Sequence, residues 1–312
     1  MQDLCARTIT YLRLSVTDLC SLRCRYCMPA GGVPKRDHGD ICSVEELVEI
    51  TQAAVDCGVR KVRLTGGEPL VRRGILDICQ RISAISEVEE LCLTTNGAVL
   101  SQLAKPLREA GVDRLNVSLD TLRPDRYAYM TRGGRLEDVF RGLEAAAEAS
   151  FAGTKLNAVL MKDFNEDEIP DFVDIARRYP VEVRFIELMP IGEGNRTQFL
   201  PAEIVRSVCP DLRPIEGSGV ARRYRSPDGR GTVGLIEPMS HRFCAACDRI
   251  RVTADGKLKP CLHSSQEIPL RGLHGEALRQ AIQAGVAAKP ERHHMNETGR
   301  SEAGRNMHQI GG

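Results

Sequence analysis

The 312-residue sequence lacks an excess of charge of either sign, because 43 basic and 42 acidic side chains leave a net charge of +1. A general nucleic-acid binder would be strongly basic, so this balance argues against that class. No apolar run approaches the ~18 residues of a membrane span. The opening residues contain neither the apolar segment of a secretory signal nor an Arg- and Ser-rich transit peptide. We therefore expect a cytoplasmic protein that associates with neither nucleic acid nor membrane.

The twelve cysteines are unusual for a chain of this length, since secreted disulfide scaffolds are normally shorter than about 100 residues. Six of them are scattered and are expected to be mostly buried thiols: Cys5, Cys42, Cys57, Cys79, Cys92 and Cys209. The other six form two groups of three. Such grouping indicates metal chemistry in a reducing compartment.

The first 190 residues alternate between two hydrophobic patterns. Short apolar, β-branched runs predict strands at 11–16, 61–65, 90–95, 114–119, 155–161 and 182–189. Helical patterns lie near 43–57, 72–83, 99–110, 135–150 and 166–178. Ser43 and Glu46 form a candidate capping box at the first helix. This alternation predicts a parallel sheet of βαβ units, whose nearly continuously apolar strands are covered on both faces.

Polar and glycine motifs fall where the predicted strands end. They are TGGEP at 65–69, TTNG at 94–97, SLD at 118–120 and MP at 189–190. Because chemistry in such folds gathers at the carboxyl ends of the strands, we expect one site there. Residues 191–229 are interpreted as a connecting region, a strand is expected at 232–236, and the tail from 289 shows no periodicity.

The first cysteine group is Cys20, Cys24 and Cys27, in a Cys-x3-Cys-x2-Cys pattern just after the first strand. A structural zinc site needs four ligands, and a cubane iron–sulfur cluster normally takes four thiolates. Three thiolates would leave one iron open for a substrate. Incidental buried cysteines, or a zinc site with a distant fourth ligand, are the alternatives.

The run LRLSVTDLCSLRCRYCMP resembles the opening of radical S-adenosylmethionine (SAM) enzymes. The resemblance implies a partial (β/α)6, TIM-like barrel in which Cys20, Cys24 and Cys27 bind a 4Fe–4S cluster. SAM chelates the open iron in that family, and its reductive cleavage yields a 5′-deoxyadenosyl radical. The implied SAM contacts are Tyr26, Gly67, Ser118 and Met189. Taken singly, these four are ordinary residues: a surface tyrosine, a turn glycine, a cap serine and a core methionine. For Tyr26 or Met189 alone that interpretation is favoured, and the ordered set of motifs reverses the preference.

The second group, Cys244, Cys247 and Cys261, has a Cys-x2-Cys-x13-Cys spacing. Either His241 or His263 could complete a Cys3His zinc site. On spacing alone, zinc and iron–sulfur remain equally open.

The two triads together with a closing Gly-Gly resemble the GTP 3′,8-cyclase family of molybdenum cofactor biosynthesis. The resemblance implies a radical SAM core at 1–225 and a C-terminal region at 226–312, where Cys244, Cys247 and Cys261 bind a second 4Fe–4S cluster. The open iron of that cluster would bind the guanine of GTP. The implied GTP contacts are Arg13, Arg63, Thr94, Lys155, Arg249, Ile250 and Arg251, with Gly311 and Gly312 reaching the site.

The reaction implied by the resemblance is that of a lyase. The radical abstracts the ribose 3′ hydrogen, and GTP becomes (8S)-3′,8-cyclo-7,8-dihydroguanosine 5′-triphosphate. The implied partners are an electron donor of the flavodoxin type and cyclic pyranopterin monophosphate synthase, which receives the product. The protein is expected to be a monomer or homodimer. Since the sequence has no Gly-x4-Gly-Lys-Ser/Thr loop, GTP would be rearranged rather than used as a phosphoryl donor.

The nucleotide hypothesis makes a physical demand, because a triphosphate needs several clustered Arg or Lys donors. Arg13, Arg63 and Lys155 lie within predicted strands, where a charge is costly unless it is paired. A bound anion or a neighbouring carboxylate would each serve as that partner. Two rival functions remain: a radical SAM enzyme that modifies peptides, and a non-catalytic zinc or electron-transfer module.

Overall fold

A twelve-stranded sheet organises the molecule, which the computed structural model describes at residues 1–33, 38–194, 198–217 and 219–311. The six predicted strands are all present and pair in chain order as a parallel sheet. They are β1 Tyr11–Ser15, β2 Lys61–Thr65, β3 Glu90–Thr95, β4 Arg114–Ser118, β5 Lys155–Leu160 and β6 Glu182–Glu187.

Helices connect these strands as predicted. They are α1 Val44–Asp56, α2 Ile75–Ser83, α3 Leu100–Glu109, α4 Pro124–Thr131, α5 Leu136–Glu148 and α6 Ile169–Arg178. The capping box of α1 is confirmed: the Ser43 hydroxyl accepts from the Glu46 amide at 3.1 Å, and the Glu46 carboxylate accepts from the Ser43 amide at 2.7 Å. Helix α4 was not predicted, because its eight residues are too short to show a clear apolar period.

The strands alternate more strictly than the sequence analysis predicted. Leu12, Leu14, Val62 and Leu64 are fully buried against the helices. The residues between them, including Arg13 and Arg63, belong to the opposite face, because side chains alternate along a strand. The prediction of nearly continuously apolar strands was therefore wrong for this inner face, which carries the polar and charged side chains.

The C-terminal third extends both edges of the sheet. Its strands are β7 Arg213–Ile215, β8 Arg222–Arg225, β9 Thr232–Ile236, β10 Arg249–Val252, β11 Lys257–Lys259 and β12 Ile268–Pro269. Strand β9 pairs in parallel with β6, and β10 pairs in parallel with β1. The strand expected at 232–236 is thus confirmed. The connecting region expected at 191–229 instead contains β7, β8 and the short helix α7 Ile204–Val208.

The last residues return to the sheet. They contain three helices: α8 Gly275–Ala287, α9 Met295–Thr298 and α10 Met307–Ile310. Gly311 follows α10 and is buried beside Thr65 at the end of β2. The sheet is continuous across residue 225, and the domain boundary there stays a prediction. None of the helices in the described ranges has the length and apolarity to cross a membrane.

Candidate functional site

The first cysteine group lies on the loop that follows β1. The loop is held by the end of α4, because the Arg23 and Arg25 amides donate to the Thr131 and Met130 carbonyls at 3.1 and 3.0 Å. The Cys27 amide donates to the Cys24 carbonyl at 3.0 Å, which closes a tight turn. These backbone bonds fix the part of the loop that carries Cys24 and Cys27.

The three thiols of this loop are reduced, partly buried and electrostatically coupled. Burial raises the pKa of Cys20 to about 11 and that of Cys27 to about 12. The pKa of Cys24 is raised well above its ordinary value, first by burial and also by the neighbouring Asp120, Cys27 and Cys20. Three neighbouring thiolates at these buried positions would be unfavourable alone, and a cationic cluster core would compensate their charge.

The glycine pair after β2 packs directly on the segment that leads into the cysteine loop. The Gly67 amide donates to the Thr17 carbonyl at 2.8 Å. A Cβ on Gly67 would lie 2.4 Å from the Leu19 carbonyl oxygen, and one on Gly66 would lie 2.4 Å from the Thr17 carbonyl oxygen. Two residues without side chains are therefore required for the backbone to approach this closely.

Glu68 anchors the same corner, although the sequence analysis gave it no role. It is 1% exposed and accepts from the Thr95 hydroxyl at 2.8 Å and the Asn96 amide at 2.6 Å. Burial raises its pKa to about 7. Asn96 in turn donates to the Cys20 sulfur at 3.7 Å, so Glu68 connects the ends of β2 and β3 to the cysteine loop.

The expected SAM contacts gather at the same ends of the strands. The Tyr26 phenol donates to Asp120 at 2.9 Å, and Asp120 also accepts from the Val159 amide at 2.9 Å. Burial raises the pKa of Asp120 to about 6. Ser118 ends β4, and Met189 follows β6 by two residues; both are partly buried.

Three arginines lie side by side across the inner face. Arg13 on β1 is in register with Arg251 on β10 and with Arg63 on β2. We call these three residues the arginine row. Strands are about 5 Å apart, so each neighbouring pair of charges at that spacing repels by about 3 kcal/mol at an effective dielectric of ~20. Burial lowers the pKa of Arg13 far below its ordinary value, and Arg251, Arg249 and Arg63 add to the effect.

Neutral groups accept the hydrogen bonds that the two outer arginines donate. Arg63 donates to the Tyr11 phenol oxygen, to the Leu93 carbonyl at 3.4 Å and to the Thr94 hydroxyl at 3.5 Å. Arg251 donates to the carbonyl of Gly311, and its pKa is lowered to about 10 by burial and by Arg249. These acceptors leave the positive charges of Arg63 and Arg251 uncompensated, so both guanidiniums are suited to bind an anion.

Lys155 on β5 differs from the outer arginines of the row, because a carboxylate neutralises part of its charge. Its ammonium lies 3.6 Å from Glu182, which also binds Arg184 at 2.6 Å. Burial lowers the pKa of Lys155 to about 8, with a further contribution from Arg184. Arg184 escaped the sequence analysis, although a charge inside a buried strand was the same signal that singled out Arg13 and Arg63.

Two buried acceptors on neighbouring strands have no hydrogen-bond donor among the described residues. They are the side-chain oxygens of Asn116 on β4 and Asn157 on β5. Asn116 is in register with Thr94 and with Lys155. An unpaired buried polar atom costs about 1–3 kcal/mol, so these acceptors fit a polar ligand bound against the strands that carry them.

Tyr11 was also missed, although it stands at the base of the arginine row. Its ring centroid lies 5.3 Å from the Lys61 ammonium and 5.7 Å from the Arg249 guanidinium. Arg249 also lies 5.9 Å from the centroid of the Phe243 ring. Ile250, between Arg249 and Arg251, is fully buried in the hydrophobic core, so only its main chain is available to a ligand of the inner face.

The second cysteine group is held by buried cations. Lys289 donates to the Cys247 sulfur at 3.5 Å and to the Arg249 and Pro260 carbonyls at 2.7 and 2.9 Å. Burial alone would raise the pKa of Cys247, but Lys289 and Arg249 lower it overall. Burial raises the pKa of Cys244, and the charges of the neighbouring Cys261 and Cys247 add to that rise.

The two histidines weighed as zinc ligands differ in their surroundings. His241 is exposed, whereas His263 is buried with its Nδ1 3.3 Å from the Ser301 hydroxyl. Burial lowers the pKa of His263 to about 3, so its ring is neutral. Across the part of the chain that the structure describes, no three His, Cys, Asp or Glu side chains surround a single-ion position.

Of the two closing glycines, Gly311 is placed on the inner face and Gly312 lies outside the described residues. Gly311 has a φ of +79°, and a Cβ there would lie 2.2 Å from the Thr65 hydroxyl. Its carbonyl contact with Arg251 brings the tail to the arginine row. The ligand-binding roles of all these residues stay predictions.

Comparison with known families covers both halves of the chain. Residues 14–176 match the model of the radical SAM superfamily, and residues 181–295 match the Molybdenum Cofactor Synthesis C family. The GTP 3′,8-cyclase of Moorella thermoacetica is 47% identical over 325 residues, and that of Alkaliphilus oremlandii is 44% identical over 320 residues. Both alignments cover 100% of this chain and 100% of the relative.

Solved structures support the fold. Streptococcus suis SuiB bound to S-adenosylmethionine superposes with a TM-score of 0.61 at 15% identity, over 97% of this chain and 75% of SuiB. The AdoMet-bound anSMEcpe gives a TM-score of 0.57 at 11% identity, over 90% of this chain and 78% of that protein. The expected radical SAM fold is confirmed. The full-length relatives and the two matched models together place this chain in the GTP 3′,8-cyclase family of the radical SAM superfamily.

Proposed function

We propose that the chain is a lyase that catalyses the first step of molybdenum cofactor biosynthesis. It would convert GTP to (8S)-3′,8-cyclo-7,8-dihydroguanosine 5′-triphosphate. The observation that carries the proposal is the arginine row, in which Arg251, Arg13 and Arg63 stand in register on three adjacent strands. A triphosphate with about four negative charges would relieve the repulsion within this row, because each guanidinium can bind phosphate oxygens bidentately. A peptide substrate would not require three clustered guanidiniums.

The donor sets fit the cofactors that the family implies. Cys20, Cys24 and Cys27 would hold one 4Fe–4S cluster, and Cys244, Cys247 and Cys261 would hold a second. When bound, the first cluster and SAM supply the 5′-deoxyadenosyl radical that removes the ribose 3′ hydrogen. Gly67, Tyr26, Ser118 and Met189 are the proposed SAM contacts at the carboxyl ends of the strands.

The contribution of the chain itself is positioning. The arginine row would hold the triphosphate, while Lys155, Thr94 and Arg249 contact the remainder of the nucleotide from the same inner face. Asn116 and Asn157 would accept hydrogen bonds from the ligand. Fixing the ribose and the purine in one orientation turns ring closure into an intramolecular step, which is worth several kcal/mol of barrier. The returning tail at Gly311 would help to keep water from the inner face.

The partners proposed with this function follow from the family alone. They are an electron donor of the flavodoxin type and cyclic pyranopterin monophosphate synthase, which would consume the product. A cytoplasmic location and a monomeric or dimeric state belong to the same proposal.

The test is an anaerobic assay of the protein reconstituted with iron and sulfide. Dithionite, SAM and either GTP or ATP are added, and 5′-deoxyadenosine and the cyclised nucleotide are followed by mass spectrometry. We expect both products with GTP and no cyclised product with ATP. A protein with two full clusters that forms no cyclised nucleotide from GTP would contradict the proposal.

A further inference from the structure

Arg305 forms ion pairs with two carboxylates at the edge of the sheet. Its guanidinium contacts the two oxygens of Asp255 at 3.1 and 2.8 Å and the two oxygens of Glu267 at 2.5 and 2.8 Å. The Arg305 side chain is only 11% exposed, and the two carboxylates are 15% and 18% exposed. Double bidentate pairing of this kind fixes both the position and the plane of the guanidinium.

The carboxylates are themselves fixed by the strands around them. Asp255 lies in the turn between β10 and β11 and accepts from the Thr253 hydroxyl at 2.6 Å. Glu267 precedes β12 and lies 3.3 Å from Lys257 and 3.6 Å from the buried Lys259. Arg305 is therefore attached to the strands that follow Arg251, not to a loose surface loop.

Immediately beyond Arg305 the chain enters the site. Asn306 begins α10 with a capping box, in which its side chain and that of Gln309 bond each other's amides. His308 is buried with Nδ1 3.2 Å from the carbonyl oxygen of Cys27, and Gly311 accepts from Arg251. The segment 306–311 thus runs from the Arg305 anchor to both the first cysteine loop and the arginine row.

We propose that Arg305 is a positioning residue, which holds segment 306–311 on the inner face so that Gly311 orients the guanidinium of Arg251. Chain termini are normally poorly ordered unless something ties them down. Only a short segment separates the anchor from Gly311, and the sequence analysis assigned a role to the closing glycines but none to Arg305. The consequence for substrate binding rests on the proposed function; the ordering of the tail does not.

The experiment compares Arg305→Ala, Arg305→Lys and the control Arg300→Ala in the full-length, reconstituted protein. Arg300 is exposed and lies on the same stretch of chain. Hydrogen exchange of the peptide containing 306–311 is measured by mass spectrometry, beside the KM for GTP, kcat and iron content. We expect Arg305→Ala to exchange at least tenfold faster and to raise the KM at least fivefold, with kcat changed less than twofold and iron retained.

Arg305→Lys keeps the charge but loses the planar fork, so we expect intermediate exchange and KM, whereas Arg300→Ala should match the wild type. Wild-type exchange and KM in Arg305→Ala would overturn the proposal, as would a fall in kcat alone. If Arg305→Ala loses iron or melts at a lower temperature than the wild type, the test uses Arg305→Lys instead. Wild-type exchange and KM in the folded Arg305→Lys protein would also overturn the proposal. A wild-type protein that does not turn over GTP would refute the proposed function, and hydrogen exchange would still test the anchor.

Discussion

At the scale of single residues, the charged side chains of the inner face serve ligand binding at a cost in folding stability. Arg63 and Arg251 are 4% and 6% exposed, and Arg13 stands between them. A protein selected for stability alone would not place two buried and one half-buried like charges in register, because their desolvation and mutual repulsion oppose folding. Residues with such a cost are expected where function needs them.

This account predicts opposite effects of Arg13→Met on binding and on stability. Loss of the central charge should raise the KM for GTP by about ten- to a hundredfold, since a charged hydrogen bond contributes about 1.5–3 kcal/mol. The nucleotide-free protein should melt at a higher temperature because two repulsive pairs disappear. Steady-state kinetics and anaerobic scanning calorimetry measure the two effects.

The matched control is Arg114→Met. Arg114 also lies in a strand, but it is exposed and pairs with Glu90 at 2.5 Å. Arg114→Met should leave the KM for GTP unchanged. If Arg13→Met lowers the melting temperature and leaves the KM as it was, the arginine row is structural.

The lowered pKa of Lys155 predicts a pH dependence of nucleotide binding. Burial and Arg184 bring this pKa down to about 8, so the free protein loses the ammonium charge as pH rises through that value. Binding of an anion favours the charged form and must then take up a proton. The affinity for GTP should therefore fall by up to about fivefold between pH 8 and pH 9, because the charged fraction of a group with this pKa falls from about one half to about one eleventh.

Equilibrium dialysis of the reconstituted protein from pH 7 to pH 9 measures this dependence. Lys155→Arg, which stays charged throughout, should bind with an affinity that changes little over the same range. Identical pH profiles for the two proteins would show that Lys155 does not contact the nucleotide.

At the scale of elements, the loop after β1 depends on the glycine pair after β2. The amides of Gly67 and Glu68 donate to the Thr17 and Leu19 carbonyls, both at 2.8 Å, so the two segments pair by backbone alone. The chain just ahead of Cys20 is therefore held in position by the neighbouring end of β2.

Gly67→Ala should displace the cysteine loop, because the new Cβ would lie 2.4 Å from one backbone oxygen and 2.6 Å from another. We expect the variant to retain roughly half of the iron, since the second cysteine group is remote in sequence and lies on other strands. Gly31→Ala is the control, because a Cβ on Gly31 would have no atom within 4 Å among the described residues. Full iron and full SAM cleavage in Gly67→Ala would contradict this view of the loop.

At the scale of the whole molecule, one sheet joins two cysteine groups. Strand β10, which follows the second group's first two cysteines, pairs with β1, which precedes the first group. The tail then contacts the first group, through His308 at the Cys27 carbonyl, and strand β10, through Gly311 at Arg251. The first group follows the carboxyl end of β1 and the second precedes the amino end of the parallel strand β10, so the arginine row stands between two groups that more than 200 residues separate in the sequence.

Lys289→Met should abolish cyclisation of GTP without abolishing reductive cleavage of SAM. The buried ammonium bonds the Cys247 sulfur and two carbonyls, and each acceptor left unpaired costs about 1–3 kcal/mol. We expect loss of roughly half of the iron and of the cyclised product, while slow reductive cleavage of SAM continues. Lys105→Met, at an 82% exposed side chain, is the control. If the variant loses SAM cleavage as well as formation of the cyclised product, the two activities are not separable.

The sequence predicted the six-stranded core because its periodic βαβ pattern is local. It could not predict that β9 and β10 flank that core, since pairing of short strands across long separations leaves no periodic signal. Helix α4 was missed because it is short, and the inner polar face was obscured by single charges among apolar neighbours. Arg305 lay in a tail without periodicity, where only the structure brings Asp255 and Glu267 to it.

The central claim is that GTP binds with its ribose beside the radical supplied at the first cysteine group. The most direct test supplies GTP deuterated at the ribose 3′ carbon to the reconstituted protein with SAM and dithionite. The account predicts 5′-deoxyadenosine that carries one deuterium, formed together with the cyclised nucleotide. Undeuterated 5′-deoxyadenosine, or deuterium transfer from a 2′-labelled GTP instead, would contradict it.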